Sequence, residues 1–328
     1  MTRATHTLSV CMPVYNGAAF LPTALEALLA QSYAPLEILL LDDGSTDDSL
    51  DILADYERRE PRIRVLRHEA NRGVVEAFLG LVEAARGSHI FLSSVDDTVL
   101  PGLLEKSMDL LEQHPSAGFC CSLSRWMDAE GVDRGVFPSP VLALEPAFIP
   151  PERIPKLLPA GFLGWFVLGN TVVWSVDALR VAGRRCARLG PYLDGFMSQV
   201  IALERGVCFV PEALGNWRVW DESYSGQIRN APEWQRGMAD GAYRLMTEDY
   251  RHLFPSGFAD RWRREVEVQL ELDERESAPG PGKLARLLRE ARARRRHGLG
   301  LMPAVARRVR VRRDALRRRR LGLAGRDG

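Results

Sequence analysis

The first 125 residues alternate between short apolar runs and segments with helical spacing, and no other feature of the sequence limits the fold as strongly. The apolar runs that predict buried strands lie at residues 8–14, 36–41, 63–66, 89–93 and 117–122. The segments that predict helices lie at residues 18–32, 45–59, 73–86 and 101–114. This alternation is typical of βαβ units, so we expect an α/β fold with a Rossmann-like, mostly parallel sheet and helices on both faces. In such sheets ligands bind beyond the carboxyl ends of the strands.

The remainder of the chain predicts less regular structure followed by helices. Seven prolines between residues 138 and 159 predict a long loop with short helices over residues 135–191. Strands are predicted at 168–174 and 207–210, and helices at 192–204, 233–253 and 258–276. The predicted organisation is a main domain over 1–225, a C-terminal helical extension over 226–276, a linker at 277–282 and a basic tail over 283–328, amphipathic or disordered.

The charge of the chain is divided unevenly between body and tail. Residues 283–328 hold 17 Lys and Arg against three acidic residues, although the net charge of the whole chain is only +1. Leu284, Leu287 and Leu288 recur at helical spacing among the arginines, which is typical of a helix that lies on an anionic membrane surface. A solvated tail, or one that docks onto the acidic body, is the alternative. Nucleic acid is not an expected partner, because no recognition module accompanies the charge.

Several features bear on the compartment of the protein. The sequence contains no run of 18 or more apolar residues, so we do not expect a membrane-spanning helix. The first residues lack the basic start and apolar stretch of a secretory signal. The five cysteines have no paired spacing, which does not favour a disulfide framework. We therefore expect a cytoplasmic protein, peripheral at the inner face of the membrane if the tail binds lipid.

Two aspartate pairs follow two predicted strands at the same end of the sheet: Asp42 with Asp43, and Asp96 with Asp97. Carboxylates gathered at one place repel one another unless a cation or several hydrogen-bond donors compensate. Oxygen ligands favour Mg²⁺ or Mn²⁺, which proteins commonly hold with one or two carboxylates plus substrate phosphates. The residues alone therefore predict a divalent metal site.

An aspartate after a strand also has a plainer interpretation, because it can cap the helix that follows. We favour that interpretation for Asp47 and Asp48, with Ser45 as the cap of the predicted helix. For the two aspartate pairs both interpretations stay open, although two pairs at two strand ends make coincidence less attractive.

The same residues resemble a known family. The segments VCMPVYNG at 10–17, QSY at 31–33 and LDDGSTD at 41–47 closely resemble the opening of family-2 glycosyltransferases. The segments NRG at 71–73, SVDD at 94–97 and DAEG at 128–131 continue the pattern in order. The resemblance is strong over residues 8–132 and traceable to about 225. It implies the GT-A fold, with a nucleotide-binding half at about 1–125 and an acceptor half at about 126–225.

The resemblance assigns roles on the nucleotide side. Pro13, Val14, Tyr15 and Asn16 are implied as the floor for the base and the ribose. Asp43 is implied as a contact of the base. Uridine or thymidine is the expected base, so the implied donor is a UDP or dTDP sugar.

The resemblance also assigns roles in the chemical step. Asp96 and Asp97 are implied as the motif that binds the diphosphate and the metal, Mg²⁺ or Mn²⁺. In the family's inverting reaction a carboxylate deprotonates the acceptor hydroxyl, which then displaces the nucleoside diphosphate. The position of that base, at the start of a helix after the middle strand, falls to Asp194. A helix N-cap is the alternative interpretation of Asp194.

Three departures from the family pattern leave full activity open. Ser94 stands in place of the first Asp of a longer motif, and residues 77–80 lack an Arg-Asn pair that often helps to hold the donor. Trp220 stands where relatives often have a His near the metal. Arg218, two residues earlier, is interpreted either as a phosphate ligand or as a cover for an apolar face.

The acceptor half offers a group of residues that the family brings near the acceptor. These are Trp165, Phe166, Gly169 and Asn170. Aromatic rings there would stack on a sugar, although packing in the core is the more common role.

The function that follows is transfer of a sugar from a nucleotide sugar to a glycan or lipid-linked acceptor, as in the biosynthesis of cell-surface polysaccharide. The alternative is a catalytically weakened nucleotide-sugar-binding or scaffold protein of the same fold. A nicotinamide-dependent oxidoreductase is excluded, because residues 15–20 lack the G-x-G-x-x-G pattern after the first strand.

Overall fold

The computed structural model describes residues 7–35, 37–158, 169–224, 226 and 232–276, and pieces of the tail at 293–294, 296–297, 316–317 and 320–322. The strands in these parts are β1 (Leu8–Val14), β2 (Glu37–Asp42), β3 (Ile63–Arg67), β4 (His89–Leu92), β5 (Thr98–Val99), β6 (Phe119–Met127), β7 (Asp133–Val136), β8 (Ala147–Ile149), β9 (Val173–Ser175) and β10 (Val207–Arg218). They form one sheet in the order β3-β2-β1-β4-β9-β6-β10-β5, with β7 beside β6 and β8 beside β10.

One half of the sheet, from β3 to β4, is parallel, as the sequence predicts. β1 pairs in parallel with β2 and β4, and β2 pairs in parallel with β3. Val14 lies opposite Asp42, and Cys11 lies opposite Leu92. Main-chain hydrogen bonds continue this ladder beyond the strands, for example from Asp43 N to Val14 O at 2.8 Å. The loops after β1, β2 and β4, which carry the predicted site residues, therefore leave the sheet at the same end.

Helices cover both faces of the sheet. Those in the described residues are α1 (Leu21–Leu29), α2 (Ser49–Arg59), α3 (Val74–Ala84), α4 (Leu103–Gln113), α5 (Val176–Cys186), α6 (Leu193–Arg205), α7 (Pro232–Thr247) and α8 (Phe258–Glu276). Alternate residues of β1 enter two separate cores: Val10 and Met12 pack with α1, α2 and α4, whereas Cys11 packs with α3, α5 and α6. The second core also takes in α7 and α8. None of the helices in the described parts of the chain is long and apolar enough to cross a membrane.

The region predicted as a long loop contains more regular structure than its prolines indicate. The strand β8 lies within it and was not predicted, and β7 begins just before it. The 11-residue helix α5 also lies within it and falls among the short helices expected there. The strand predicted at 168–174 is wrong over most of its length. A 3₁₀ turn occupies Gly169–Thr171, and the strand β9 runs antiparallel to both β4 and β6. Residue 168 lies outside the described residues.

β10 is three times as long as the four-residue strand that the sequence predicts. The prediction ended at Val210, next to a proline, which removes a hydrogen-bond donor from a strand. The structure passes this point by two register shifts against β6, between Val210 and Gly215, and pairing then continues to Arg218 opposite Met127. The extension brings the end of β10 to the loop after β4.

The described pieces of the basic tail contact the body of the protein. Arg294 is buried and donates two hydrogen bonds to the carboxylate of Glu265 on α8, at 2.6 and 2.5 Å. Arg317 donates to the carbonyl oxygen of Val141 at 2.6 Å, and Leu321 packs against the larger core. These contacts match the interpretation in which the tail docks onto the body. The predicted linker at 277–282 and most of the tail lie outside the described residues.

Candidate functional site

The loops after β1 and β2 are joined by hydrogen bonds from the segment 45–47. Ser45 Oγ accepts the N–H of Asn16 at 3.0 Å, and Asn16 Oδ1 accepts the N–H of Thr46 at 2.8 Å. These bonds hold Asn16 at φ 48°, a left-handed conformation that is costly for most residues with a side chain. The prediction that Ser45 caps the following helix is wrong. That helix begins at Ser49, whose N–H is accepted by Asp47 at 3.0 Å.

The predicted floor for the nucleotide divides into exposed and buried positions. Tyr15 has 47% of its surface exposed, and Pro13 lines a cleft at the end of the sheet. Val14 is buried in the core beneath them. The structure therefore leaves Pro13 and Tyr15 open to a ligand, while Asn16 fixes the loop that carries them. Contact of these residues with a base stays a prediction.

Asp43 is buried and both of its carboxylate oxygens have partners from the chain. Oδ1 accepts the N–H of Arg72 at 3.0 Å and lies 2.6 Å from His68 Nδ1, and Oδ2 accepts the N–H of Gly73 at 2.8 Å. Gly44 permits this approach, because a Cβ on it would come within 2.6 Å of the backbone of Ala70. The Asp43 side chain is thus held firmly against the segment that follows β3.

His68 is a site residue that the sequence reasoning missed. It follows β3 at the same end of the sheet as the aspartate pairs, so the rule that ligands bind beyond the carboxyl ends of strands would have found it. Together with Arg72 it lines a second cleft of about 370 Å³ beside Asp43.

The loop with the second aspartate pair is attached to the end of β10. The N–H of Arg218 donates to Asp97 Oδ1 at 2.9 Å, and the indole N–H of Trp220 donates to Asp96 Oδ2 at 2.9 Å. Asp96 Oδ1 accepts a hydrogen bond from the hydroxyl of Ser94 at 2.5 Å. Both oxygens of Asp96 therefore have donors, while a single hydrogen bond reaches Asp97 from the described residues. Ser94 and Trp220, two of the departures from the family pattern, thus both donate to the carboxylate of Asp96.

The contacts of Arg218 match the second of its two interpretations, and binding of phosphate by this residue stays a prediction. Its guanidinium lies 4.8 Å from the centre of the Phe20 ring, the ring against which Trp220 also packs edge-on. It donates to the carbonyl oxygens of Asp128 and Ala129 at 3.3 and 2.7 Å. These contacts make Arg218 a clamp between the loops after β4 and β6, with its charge turned toward main-chain oxygens.

The environment of Asp97 disfavours its negative charge. Burial, and then the charge of Asp96, raise the pKa of Asp97 well above its usual range, against the lowering effect of Arg218. No Lys or Arg among the described residues forms an ion pair with this carboxylate. The arrangement favours a cation beside Asp97, because a positive charge would offset both the desolvation and the repulsion from Asp96.

Asp194 lies in the first turn of α6, where the sequence placed it. Its carboxylate accepts the N–H of Gly195 at 2.7 Å, and burial raises its pKa to about 6. Gly169 permits the close approach of the neighbouring turn, since a Cβ on it would come within 2.5 Å of Asp194 Oδ2. A carboxylate with a pKa of about 6 is suited to accept a proton near neutral pH.

One cleft of about 270 Å³ brings the predicted metal ligand and the predicted base together. Asp97 and Asp194 both line it, with Ser93, Ser94 and Asn170 as further polar residues. The rest of its wall is mostly apolar and aromatic: Pro13, Val74, Val75, Phe78, Leu92, Trp174, Leu193, Trp217 and Tyr224. Asp43 and Asp96 do not line it. The predicted acceptor-side residues Trp165 and Phe166 lie outside the described residues.

The donor set at the cleft fits a divalent cation held partly by its substrate. Among the described residues no group of three or more His, Cys, Asp or Glu side chains could hold a metal. The available carboxylates are Asp97, which is short of positive partners, and Asp96, whose oxygens keep lone pairs beyond their two hydrogen bonds. Mg²⁺ is commonly bound through one or two carboxylates and substrate phosphates, so this pair fits such an ion with a diphosphate as its other ligand.

Comparisons with known proteins identify similar sequences over the first half of the chain. Residues 9–159 match the model of the family described as glycosyl transferase family 2. The "Uncharacterized glycosyltransferase YibD" of Escherichia coli is 36% identical over 110 residues, 34% of this chain and 32% of that protein. The "Uncharacterized glycosyltransferase EpsJ" of Bacillus subtilis is 31% identical over 150 residues, 46% of this chain and 42% of that protein. The chain thus spans less than half of the length of these curated relatives.

The fold is shared with a solved structure over most of the chain. The crystal structure of S. aureus TarS 1–349 aligns with a TM-score of 0.57 at 17% identity, covering 88% of this chain and 80% of that one. The same protein in complex with UDP-GlcNAc aligns with a TM-score of 0.52 at 14% identity, covering 80% of each chain. At this level of identity the likeness concerns the fold.

Proposed function

We propose that the chain, whose residues 9–159 match the model of glycosyl transferase family 2 and whose fold is of the GT-A type, transfers a sugar from a nucleotide sugar to a glycan or lipid-linked acceptor. The observation that carries the proposal is the cleft in which Asp97 and Asp194 face the same space. One of these carboxylates is suited to a cation and the other to a proton. Curated relatives named glycosyltransferases, including a chondroitin synthase of Escherichia coli, support the same reaction class.

The proposed reaction is a single displacement that inverts the anomeric carbon. Asp194 takes the proton of an acceptor hydroxyl, the oxygen of that hydroxyl forms a bond to the anomeric carbon, and the bond from that carbon to the diphosphate breaks. The nucleoside diphosphate leaves with the electron pair of the broken bond. A divalent cation bound at Asp97 and Asp96 would neutralise the charge that develops on the leaving diphosphate.

We propose a UDP sugar, or else a dTDP sugar, as the donor. Pro13 lines the cleft, and the segment 13–16 and Asp43 lie at the carboxyl ends of β1 and β2, where α/β sheets bind nucleotides. The complex of the structural neighbour TarS with UDP-GlcNAc supports uridine. Biosynthesis of cell-surface polysaccharide or of a lipid-linked glycan is the proposed setting, supported by a putative teichuronic acid biosynthesis glycosyltransferase of Bacillus subtilis among the relatives.

Calorimetric binding of UDP, dTDP and GDP, each with and without Mn²⁺, tests the donor site. One nucleotide should bind in a metal-dependent manner to the wild type, and Asp97→Ala should weaken that binding by at least about tenfold. Asp109→Ala, which removes an exposed carboxylate from α4, serves as the matched control. If a folded wild type binds none of the three nucleotides, the donor site as proposed does not exist.

A catalytically weakened protein that still binds nucleotide sugars is the second candidate. The observation that favours it is the state of Asp96, whose two oxygens already accept hydrogen bonds from Ser94 and Trp220. Turnover separates the candidates: release of nucleotide diphosphate from a donor with a glycan acceptor supports the transferase. Tight binding of the nucleotide sugar without turnover on a broad acceptor panel supports the weakened protein.

Association with anionic membranes through the basic tail remains part of the proposal. The excess of Lys and Arg over residues 283–328 supports it, although Arg294 and Arg317 contact the body. Co-sedimentation of the full chain with phosphatidylserine vesicles, lost in 0.5 M salt and absent with phosphatidylcholine vesicles, is the expected result, since about 0.5 M salt screens surface charge. Equal sedimentation with both lipids would remove this part of the proposal.

A further inference from the structure

Two exposed aromatic rings lie at the cleft. Among the described residues the aromatic side chains that are exposed are Tyr15, Tyr224 and Trp234. Tyr224 lines the cleft and keeps 46% of its surface accessible. Trp234 keeps 54% accessible and lies against Gly190, which also lines the cleft. Single exposed apolar side chains are common on protein surfaces, but exposed rings that share one concave site indicate a surface for a ligand.

Trp234 lies on the same side of the cleft as Asp194. A Cβ on Gly190 would lie 3.8 Å from Cζ3 of the Trp234 indole, so the ring faces this turn with no side chain between them. Gly190, at φ 55°, comes four residues before Asp194 in the segment that leads into α6. Both residues line the cleft. The indole therefore borders the end of the cleft that holds the proposed base.

The helix that carries Trp234 is held firmly against this segment. Met238, Ala242 and Leu245 of α7 are buried in the larger core. A Cβ on Gly241 of the same helix would come within 2.8 Å of Cδ2 of Leu189, so the helix approaches the chain closely just before Gly190. Since these contacts fix α7, the exposed indole is a positioned surface that needs no rearrangement to meet a ligand.

The turn that carries Tyr224 is also fixed. The hydroxyl of Ser223 donates to the carbonyl oxygen of Trp220 at 2.7 Å, and the N–H of Gly226 donates to Ser223 Oγ at 3.0 Å. Tyr224 thus follows directly on a closed turn at the end of β10, and its accessible ring belongs to the wall of the cleft.

A sugar ring is a ligand that fits exposed aromatic rings beside a carboxylate. The face of an aromatic ring carries partial negative charge, and it attracts the weakly positive, apolar C–H groups on the flat side of a sugar ring. The hydroxyls of the same sugar remain free for polar groups such as Asp194. Because the proposed reaction has Asp194 take its proton from the acceptor, a sugar on this side of the cleft belongs to the acceptor.

We propose that Trp234 stacks on a sugar ring of the acceptor glycan, with Tyr224 as a second aromatic contact in the cleft. The inference rests on the proposed function and adds two substrate-binding residues to it. It also gives the helical extension a role in recognition of the acceptor, since Trp234 lies on α7, outside the residues that match the family model.

The test measures steady-state release of nucleotide by the full chain, with the preferred nucleotide sugar and a panel of methyl and octyl glycosides of hexoses and N-acetylhexosamines. Trp234→Ala and Trp234→Leu remove the aromatic ring, and Trp234→Phe keeps one. Val181→Ala is the matched control, because Val181 is equally exposed, at 55%, but lies on α5 and does not line the cleft.

The expected pattern is specific to the acceptor. Trp234→Ala and Trp234→Leu should raise the acceptor KM by roughly three- to tenfold, and Trp234→Phe by less than about twofold. Tyr224→Ala should raise it as well. The donor KM, and the slow hydrolysis of the donor without an acceptor, should stay unchanged in all of these variants. Methyl and octyl glycosides should be affected equally, because the contact is with the sugar.

Four results overturn the inference. An acceptor KM that changes less than about twofold in both Trp234→Ala and Trp234→Leu would show that no sugar stacks there. An equal rise in the donor KM would assign the ring to the donor, and an effect confined to octyl glycosides would assign it to an alkyl chain. In these three cases the proposed function would stand. A wild type that binds no nucleotide, or binds one without turnover on the panel, would overturn the proposed transfer and this inference with it.

Discussion

The two halves of the candidate site differ in how many hydrogen-bond donors the chain supplies to their buried carboxylates. Asp43, at the end of β2, is buried but receives main-chain N–H groups from Arg72 and Gly73 and contacts His68. Asp97 and Asp194 line the cleft, and the described chain supplies each of them with a single N–H donor. Burial raises the pKa of both cleft carboxylates, and neither carboxylate forms an ion pair with a residue in the described parts of the chain.

The difference separates a carboxylate that holds the site in shape in the free protein from carboxylates that lack partners until a substrate binds. We call the part of the site around Asp43 the building half, in contrast to the cleft with Asp97 and Asp194. A carboxylate whose donors come from the chain is satisfied in the free protein and contributes to its stability. A carboxylate that is buried without enough donors costs stability, and it is retained where its charge or its proton is used. Removing the charge should therefore have opposite effects on stability in the two halves.

The largest expected effect is the loss of turnover in Asp194→Asn. We expect kcat to fall by about 10² to 10⁴-fold, because the amide cannot accept the acceptor's proton, while binding of the nucleotide is retained. Asp177→Asn is the matched control, since Asp177 occupies the first turn of α5 as Asp194 does in α6 but is exposed. A decrease in kcat below tenfold would remove Asp194 as the base.

The pH dependence of wild-type activity sharpens this prediction. The base must be deprotonated, so kcat should fall about tenfold per pH unit below the pKa of about 6. The free energy of unfolding should decrease over the same pH range in which kcat increases. Because the folded pKa lies above the unfolded value of 3.8, ionisation of Asp194 costs stability as pH rises from about 4 to 6. Asp194→Asn should then be more stable at neutral pH, by at most ~3 kcal/mol because the side chain is partly exposed, and equal to the wild type below pH 4.

Asp97→Asn should lower activity and raise stability together. We expect kcat to fall on the order of 10²-fold, because the cation that would balance the negative charge developing on the diphosphate loses one of its ligands. The raised pKa of Asp97 means that ionisation costs folding free energy, and this cost disappears in the amide. Thermal unfolding at pH 8 should show a higher Tm for the variant than for the wild type. An equal or lower Tm would contradict the idea that Asp97 is an unbalanced charge.

Asp43→Asn should lower the stability of the fold, whereas Asp97→Asn should raise it. An amide offers one oxygen, so its NH₂ group must face an N–H of either Arg72 or Gly73, and one charge-assisted hydrogen bond is lost. The expected cost is about 1.5–3 kcal/mol of unfolding free energy, measured by urea denaturation. Asp109→Asn, exposed on α4, controls for the loss of one negative charge. Stabilisation of the fold by Asp43→Asn would remove the distinction between the two halves.

The sequence predicts the building half better than the cleft. β1 and α8 have the predicted bounds, and the order of strands around Asp43 follows from local periodicity and the rules for βαβ connections. The partners of Asp43 lie within about 30 residues of it in sequence, inside one pattern of strands and helices. Even so, the role of His68 was missed, because periodicity identifies elements and says nothing of a side chain just beyond one.

The cleft depends on contacts that no local pattern encodes. Trp220 meets Asp96 across 124 residues, and Arg218 meets Asp97 across 121. These contacts need the extension of β10 beyond its proline, which the register shifts against β6 provide and which propensity argues against. Asp194 could be placed only by resemblance, because its alternative as a helix cap rests on the same position in the first turn.

The smallest expected effect concerns Trp220, and it tests whether Asp96 behaves like Asp43 or like the cleft carboxylates. Its indole N–H donates to Asp96 Oδ2 while its ring packs edge-on against Phe20, at 5.5 Å between ring centres. Trp220→Phe keeps the ring and removes the donor, whereas Trp220→Ala removes both. If Asp96 resembles Asp43, a carboxylate positioned by the chain, the Phe variant should weaken Mn²⁺-dependent nucleotide binding by about fivefold with little change in Tm. The Ala variant should lower Tm as well.

The opposite result would place Asp96 with the cleft carboxylates. If the indole competes with the metal for Asp96, Trp220→Phe frees an oxygen and Mn²⁺-dependent binding becomes tighter. Calorimetry with the preferred nucleotide at fixed Mn²⁺ distinguishes these signs, and binding without metal is the internal control. Asp96 would then belong with Asp97 and the cleft, and Asp43 alone of the three would belong to the building half.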